Sequence, residues 1–243
     1  MKLAMSQPYF FPYIGYFQLI HAADRFILYD NLLYNKRGWV QRNRIYTAGK
    51  GEDYIIVPLK SRSYSKYINE LAIDYSNPWK EKLLKKLRHS YKKAAYYEEI
   101  YPFIASLLAE DYLLLSQLNN RTIRATANLL GIQTTIISNS QAYETIEEEL
   151  KNRECSYEAK TQRILLACQK EKADTYINAI GGLALYSKDI FRANGIDLRF
   201  VQTAVYTYRQ QATDFIPHLS IIDVLFNCGT EKTKELLTHY TLI

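Results

Sequence analysis

The first 45 residues constrain this chain more than any other stretch. A short apolar run, Lys2-Leu-Ala-Met-Ser6, ends in Gln7, and a loop with Pro8 and Pro12 follows. An amphipathic helix opens near Gly15, and a second apolar run from Arg25 ends in Asp30. Strand, loop, helix, strand is the opening unit of a parallel α/β sheet. Ligands of such sheets bind beyond the carboxyl ends of the strands, beside helix N-termini. Gln7, the 8–17 loop and Asp30 are therefore expected to share one edge.

The rest of the chain extends that unit. Residues 42–46 and 54–59 flank a turn with Gly49-Lys-Gly51, which reads as an antiparallel hairpin, and 68–73 reads as a further strand. Residues 78–131 read as helices. Pro78 opens the first, and Trp79, Leu83, Leu84, Leu87 and Tyr91 recur at helical spacing. The pattern then returns to alternating strands (134–138, 174–178, 197–201) and helices (158–172 and a last one over 219–228 that Gly229 caps). The expectation is one α/β domain over 1–243 with a helical insertion at 78–131. Its sheet is three-layer, mostly parallel and Rossmann-like, with a small antiparallel hairpin.

Composition narrows the class. The chain has 243 residues, enough to bury a core without staples. Its 22 tyrosines each pair a large ring with a hydroxyl that needs a partner, which suits half-buried surfaces such as a cleft or a homo-oligomer interface. Cys155, Cys168 and Cys228 are odd in number and far apart, against a disulfide framework or a zinc site, and a reducing cytoplasm is the simplest setting. No signal segment and no run long enough to span a bilayer is visible, so membrane insertion is not expected. The net charge of +6 suits an anionic small molecule. The lysines of 80–93 read as a solvated helix face, and no nucleic-acid module accompanies them.

Several groups of residues carry candidate chemistry. Lys36, Arg37, Arg42 and Arg44, around Trp39 and Asn43, put four cations within nine positions after a strand end. Guanidinium groups grip phosphate bidentately and Trp39 offers a stacking face, so this cluster is the leading anion site. Gly15 opens the first helix, where exposed N–H groups favour an anion, although it could equally serve helix–strand packing. Asn178 and the pair Gly181-Gly182 follow a strand and could present amides to a ligand or simply make a turn. Lys160 and Arg163 stand early in a helix, where cations oppose the macrodipole, and so call for a ligand or a carboxylate partner. Asp223 interrupts an apolar helix and needs a partner, structural or catalytic, and Asp30 at a strand end carries the same ambiguity. His218 and Ser220 are two apart and do not face one another as a nucleophile–base pair. No cluster has metal-ligand spacing, and no obligatory cofactor is evident beyond a nucleotide or an acyl or aminoacyl donor.

Two resemblances add to this. Tyr13-Ile-Gly15-Tyr16 is similar in spacing to the His-x-Gly-His of the nucleotidylyltransferase and pantothenate-synthetase superfamily. Tyrosine replaces both histidines and supplies no imidazolium, so the likeness implies sheet topology rather than adenylyl transfer. The set Gln7-Pro8, Pro12-x-x-Gly15-Tyr16-Phe17, Asp24 with Asp30, Lys36-Arg37-Gly38-Trp39 with Arg42-Asn43-Arg44, Tyr176 to Tyr186 with Gly181-Gly182, and Leu219 to Gly229 resembles the WbqC-like family of bacterial proteins over almost the whole chain. Ser6 departs from it, since many relatives carry histidine there. The resemblance implies a role in O-antigen or other surface-polysaccharide synthesis, with aminoacyl or acyl attachment to an amino sugar.

Three readings follow. The first is a transferase on a nucleotide-linked sugar. Lys36, Arg37, Arg42 and Arg44 would hold the diphosphate, Gln7, Tyr13, Tyr16 and Asn178 would lie with the glycines at the site, and Asp30 or Asp223 would accept the amine proton. The second is an ATP-dependent nucleotidyl transferase or ligase, and the third a non-catalytic partner in an assembly complex.

Overall fold

A computed structural model describes residues 1–61, 65–138, 140–151 and 156–243; Cys155 lies outside them. In chain order the elements are β1 (Lys2–Ser6), α1 (Ile14–Ala22), β2 (Arg25–Leu28), β3 (Arg42–Thr47), β4 (Gly51–Ile56), α2 (Trp79–Tyr91), α3 (Tyr97–Ala109), α4 (Leu115–Leu129), β5 (Thr135–Ile137), α5 (Glu144–Lys151), α6 (Ser156–Glu171), β6 (Thr175–Ala179), α7 (Lys188–Ala193), β7 (Asp197–Thr203), α8 (Ile221–Leu237) and β8 (Tyr240–Leu242).

The main sheet runs β5-β2-β1-β6-β7-β8. Its first five strands are parallel, and β8 adds an antiparallel edge. The strands are apolar on both faces because both are covered. Ala4, Phe26, Leu28, Ile177 and Val201 face one core with α1, α2, α3, α4 and α8, while Leu3, Ile27, Tyr176, Leu198 and Phe200 face a second with α5, α6 and α7. Helices 79–129 therefore share one continuous core with the sheet.

Helix α1 is buried on nearly every side, so its one amide must be satisfied internally. Gln18 does this by donating to the carbonyls of Leu236 (2.9 Å) and His239 (3.2 Å) and accepting from the Thr203 hydroxyl (2.7 Å). These bonds tie α1 to β7 and the end of α8.

Two local expectations need correction. Residues 68–73 form a 3-10 turn, Ile68–Glu70, followed by isolated bridges at Ala72 and Ile73, because Ile68 and Leu71 bury without a strand partner. The hairpin turn is tighter than expected, with Thr47 already opposite Gly51. Gly229 ends the first part of α8 at φ 71°, as expected, and a second helical stretch follows across the kink. A Cβ there would meet the Tyr96 ring at 2.5 Å, so both backbone and packing require glycine.

The β3–β4 hairpin is pinned to α2 by Asp53, which pairs with Lys50 (2.7 Å) and Lys86 (2.6 Å) and accepts from the Tyr54 amide (2.8 Å). Partial burial pushes this carboxyl up, but the two lysines and the amide outweigh it and hold it down at about 2. A depressed folded-state value means the pair stabilises above the ordinary range, about 4, and is lost as pH falls through about 2. Asp53→Asn is thus expected to be less stable than the parent at pH 6, by under about 1 kcal/mol for so solvent-facing a pair. Denaturant midpoints should converge as pH approaches 2; a gap independent of pH would contradict this.

Candidate functional site

After β1 the chain must turn through 7–13, a stretch with two prolines and few partners of its own. Its carbonyls are satisfied by buried side chains from three distant elements. Asn119 of α4 donates Nδ2 to the carbonyls of Pro8 (2.8 Å) and Val40 (2.7 Å). Asn43 of β3 donates Nδ2 to Phe10 (3.1 Å) and Phe11 (2.9 Å). Ser220, the N-cap of α8, donates its hydroxyl to Phe11 (2.7 Å) while accepting from the Ile222 amide (3.2 Å). The Ile221 amide donates to Pro12 (2.9 Å), and the Tyr16 hydroxyl donates to Gln7 (2.8 Å). Phe11 is held at φ 41°, a left-handed conformation that a bulky residue adopts only when its surroundings over-determine it.

This loop forms one side of a cleft of about 730 Å³. The cleft lies where the order of parallel strands reverses, between β1 and β6, at the carboxyl edge where open α/β sheets bind ligands. Ser6, Gln7, Tyr29, Asn31 and Asn178 come from or just beyond the strand ends; Tyr9 and Tyr67 belong to neighbouring loops, Glu147, Lys160 and Arg163 to α5 and α6, and Gly182 and Tyr186 to the turn before α7. The size is that of small-molecule sites.

The lining is rich in available hydrogen-bonding groups. Among the described residues the Gln7 amide, the Tyr9 hydroxyl and the exposed Lys160 ammonium make no hydrogen bond or ion pair. Asn178 accepts from the Ala179 amide through Oδ1 (2.8 Å), and its Nδ2 has no partner among the described residues. Gly182 makes room for that amide, since a Cβ there would stand 2.6 Å from Nδ2. Gly182 thus serves the site by close approach, while nothing crowds Gly181.

One wall carries a charged cluster. Arg163 grips Glu147 bidentately, Nε to Oε1 at 2.5 Å and Nη2 to Oε2 at 2.9 Å. Tyr29 donates its hydroxyl to the same Glu147 Oε1. Burial, then the hydrogen bond and charge of Glu147, push the Tyr29 hydroxyl far above its ordinary value, so it stays protonated. Arg163 thus has a carboxylate partner, although it stands in the middle of α6 and not near its start as expected.

The arginine-rich segment lies elsewhere. Arg42 is stacked over Trp39 (5.8 Å) and Tyr54 (5.0 Å) and donates to the carbonyls of Arg37 (2.9 Å) and Gly38 (3.3 Å). Arg44 stacks on Trp39 (5.5 Å), pairs with Glu52 (2.7 Å) and donates to the His218 carbonyl (3.3 Å). None of Lys36, Arg37, Trp39, Arg42, Asn43 and Arg44 lines the cleft. Tyr13 packs edge-on against His218 (5.9 Å), and Gly15 lies beneath the Tyr13 ring. Tyr16 is buried, anchoring Gln7 from behind.

Asp30 is buried between the cleft-lining Tyr29 and Asn31, but does not itself line the cleft. Asp223 is fully buried at the start of α8 and accepts from the hydroxyls of Tyr91 (2.7 Å) and Tyr208 (2.7 Å) and from the amides of Gln210 (3.3 Å) and Asn227 (3.3 Å). Burial raises its carboxyl, and the four donors oppose that rise. The network joins α8, α2 and the 208–210 segment. Ser220 is turned to the Phe11 carbonyl, so no nucleophile pair forms with His218. Tyr29, Glu147 and Asn119 were not singled out from the sequence; Glu147 sits in an acidic run and Asn119 in a helix, with nothing local to mark either.

The geometry defines a mixed α/β protein with a mostly parallel sheet and, among the described residues, a ligand-sized cleft of mixed polar and apolar lining at its carboxyl edge. The chain belongs to the WbqC-like protein family, whose profile matches residues 7–235. It is 34% identical over 239 residues to the uncharacterized protein Rv1507c of Mycobacterium tuberculosis, covering 97% of each chain. No solved structure matches it. Among the described residues no helix is long and apolar enough to cross a membrane.

Asn43→Ala leaves the buried carbonyls of Phe10 and Phe11 without their side-chain donor. It is expected to destabilise the fold by about 2–4 kcal/mol, one to two per orphaned group, in equilibrium denaturation. A loss below about 0.5 kcal/mol would remove Asn43 as a clamp.

Proposed function

We propose that this protein is a transferase that attaches an aminoacyl or acyl group to an amino sugar in surface-polysaccharide synthesis, holding a nucleotide-linked sugar in the β1/β6 cleft. The observation that carries the reading is the juxtaposition of available neutral groups, Gln7, Tyr9 and Asn178, with Lys160, a cation that has no partner among the described residues, at the switch point of the sheet. Sugar hydroxyls donate and accept at once, which amides and phenols match. An ammonium beside them suits the phosphate of the carrier. Family membership supports the same reading.

Among the described residues Glu147 is the carboxylate that lines the cleft. Among the described residues its Oε2 accepts one bond, from Arg163, and so retains accepting capacity. In the proposed step the acceptor nitrogen forms its bond to the acyl carbon, the donor's leaving group departs with the electron pair, and the nitrogen's proton passes to Glu147. Arg163 and Tyr29 position that carboxylate. Asp30 stands just behind the same edge, and Asp223 holds elements together at a distance from the cleft lining.

Titration calorimetry with UDP-glucosamine tests the assignment. Gln7→Ala and Lys160→Gln should each weaken binding by about 1–2 kcal/mol, whereas Arg42→Ala should leave affinity within about twofold. Loss of affinity in Arg42→Ala with Gln7→Ala and Lys160→Gln unaffected would move the site to the hairpin. No binding by the parent protein would overturn the reading.

A further inference from the structure

Strand β4 lies beside α2 across a groove of about 380 Å³. The strand edge that borders this groove is open. Tyr54 stands opposite Arg44 in the hairpin, yet its amide donates to the Asp53 side chain (2.8 Å) and its carbonyl accepts from Lys86 (2.6 Å). Both groups therefore turn away from β3. Backbone direction repeats every two residues along a strand, so the amide and carbonyl of Ile56 turn the same way. The ladder bond from the Val57 amide to the Gln41 carbonyl (2.8 Å) keeps that alternation. Among the described residues neither Ile56 group has a partner. The Ile56 side chain is also 45% exposed.

The opposite wall is one face of α2, where Trp79, Lys82, Leu83 and Lys86 fall three, four and seven residues apart. Lys86 is committed to Asp53 and the Tyr54 carbonyl. Lys82, and the side-chain amide of Asn77 at the same end of the groove as Trp79, have no hydrogen bond or ion pair among the described residues.

We propose that this groove docks the free carboxyl end of a peptide chain whose last residue is apolar. An extended peptide adds to a sheet edge through its backbone, and Ile56 presents both groups that such a strand needs. The residue before the last pairs with Ile56. The last side chain covers Trp79, Leu83 and the exposed Ile56, which removes apolar surface from water. Its carboxylate meets Lys82 and the Asn77 amide, a cation and a neutral donor for one negative charge. Lys86 and Asp53 occupy the edge at Tyr54, so recognition is confined to the end of the chain. The groove shares no lining residue with the β1/β6 cleft, so this site stands apart from the proposed transferase site.

The test is an amide-resolved NMR titration of the full chain with acetyl-alanyl-leucyl-leucine, with its C-terminal amide and with N-acetyl-leucine. The acid tripeptide should shift the Ile56 and Leu83 amides and bind at least about tenfold more tightly than its amide, the effect of one charge-assisted contact. N-acetyl-leucine lacks the residue that pairs with Ile56 and should bind at least about threefold more weakly than the tripeptide. In Lys82→Gln the acid and the amide should bind within about threefold of each other, while the amide peptide shifts Ile56 as in the parent and so shows the groove intact. Shifts at Gln7 and Asn178 in place of Ile56, equal affinities of acid and amide in the parent, or a preference that survives Lys82→Gln would each overturn the proposal. So would N-acetyl-leucine binding as tightly as the tripeptide, which marks a site for small acids, or no shift by the tripeptide at millimolar concentration.

Discussion

The side-chain clamp on the 8–12 loop is the interaction on which the site depends. Two buried amides and one hydroxyl, from Asn119, Asn43 and Ser220, take up carbonyls that no backbone ladder reaches. A buried carbonyl without a donor costs more than a typical hydrogen bond contributes, so the three donors must be present together with the loop. They arrive from α4, β3 and α8, which makes loop conformation a consequence of the tertiary fold and not of local sequence. Phe11 in a left-handed conformation is the residual strain of that arrangement. What it achieves is positional: β1 ends, Gln7 and Tyr9 enter the cleft, and Tyr16 holds the Gln7 carbonyl from behind.

Charge follows a different logic from what its density suggests. The arginines of β3 are stacked with Trp39 and Tyr54 and engaged with carbonyls and Glu52, so their guanidinium groups consolidate the hairpin. In the cleft, Arg163 is committed to Glu147, and Lys160 remains as the cation without a described partner. Among the described residues the cleft lining joins neutral hydrogen-bonding and apolar side chains with one carboxylate and one available positive charge.

Much of the architecture was legible in the sequence, because apolar runs of strand length alternating with amphipathic stretches have few other solutions. The strands at 2–6, 25–28, 135–137, 175–179 and 197–203 and the hairpin fall within or near the expected spans. Strand β8 was not legible: three residues at an antiparallel edge carry no periodicity. The apolar spacing of 68–73 resembled a strand although its side chains bury from a 3-10 turn. Of the site, Gln7, Asn178 and Gly182 were legible from their position after strand ends. Asn119 was not, since it meets Pro8 across 111 residues. The Glu147–Arg163 pair joins two helices, and nothing local marks it, since Arg163 stands in the middle of α6 and not in its first turn. Four neighbouring cations around Trp39 read as a ligand site because sequence shows their proximity but not that carbonyls, Glu52 and two aromatic rings engage Arg42 and Arg44.

Hydrogen–deuterium exchange of the loop amides in Asn119→Ala addresses the clamp most directly. The Phe10 amide, bonded to the Trp39 carbonyl at 3.3 Å, should lose protection while amides of β1 and β6 keep theirs. UDP-glucosamine affinity should fall in step with that loss. Unchanged protection at Phe10 together with unchanged affinity would contradict the account, since the loop would then hold its shape without the donor assigned to it.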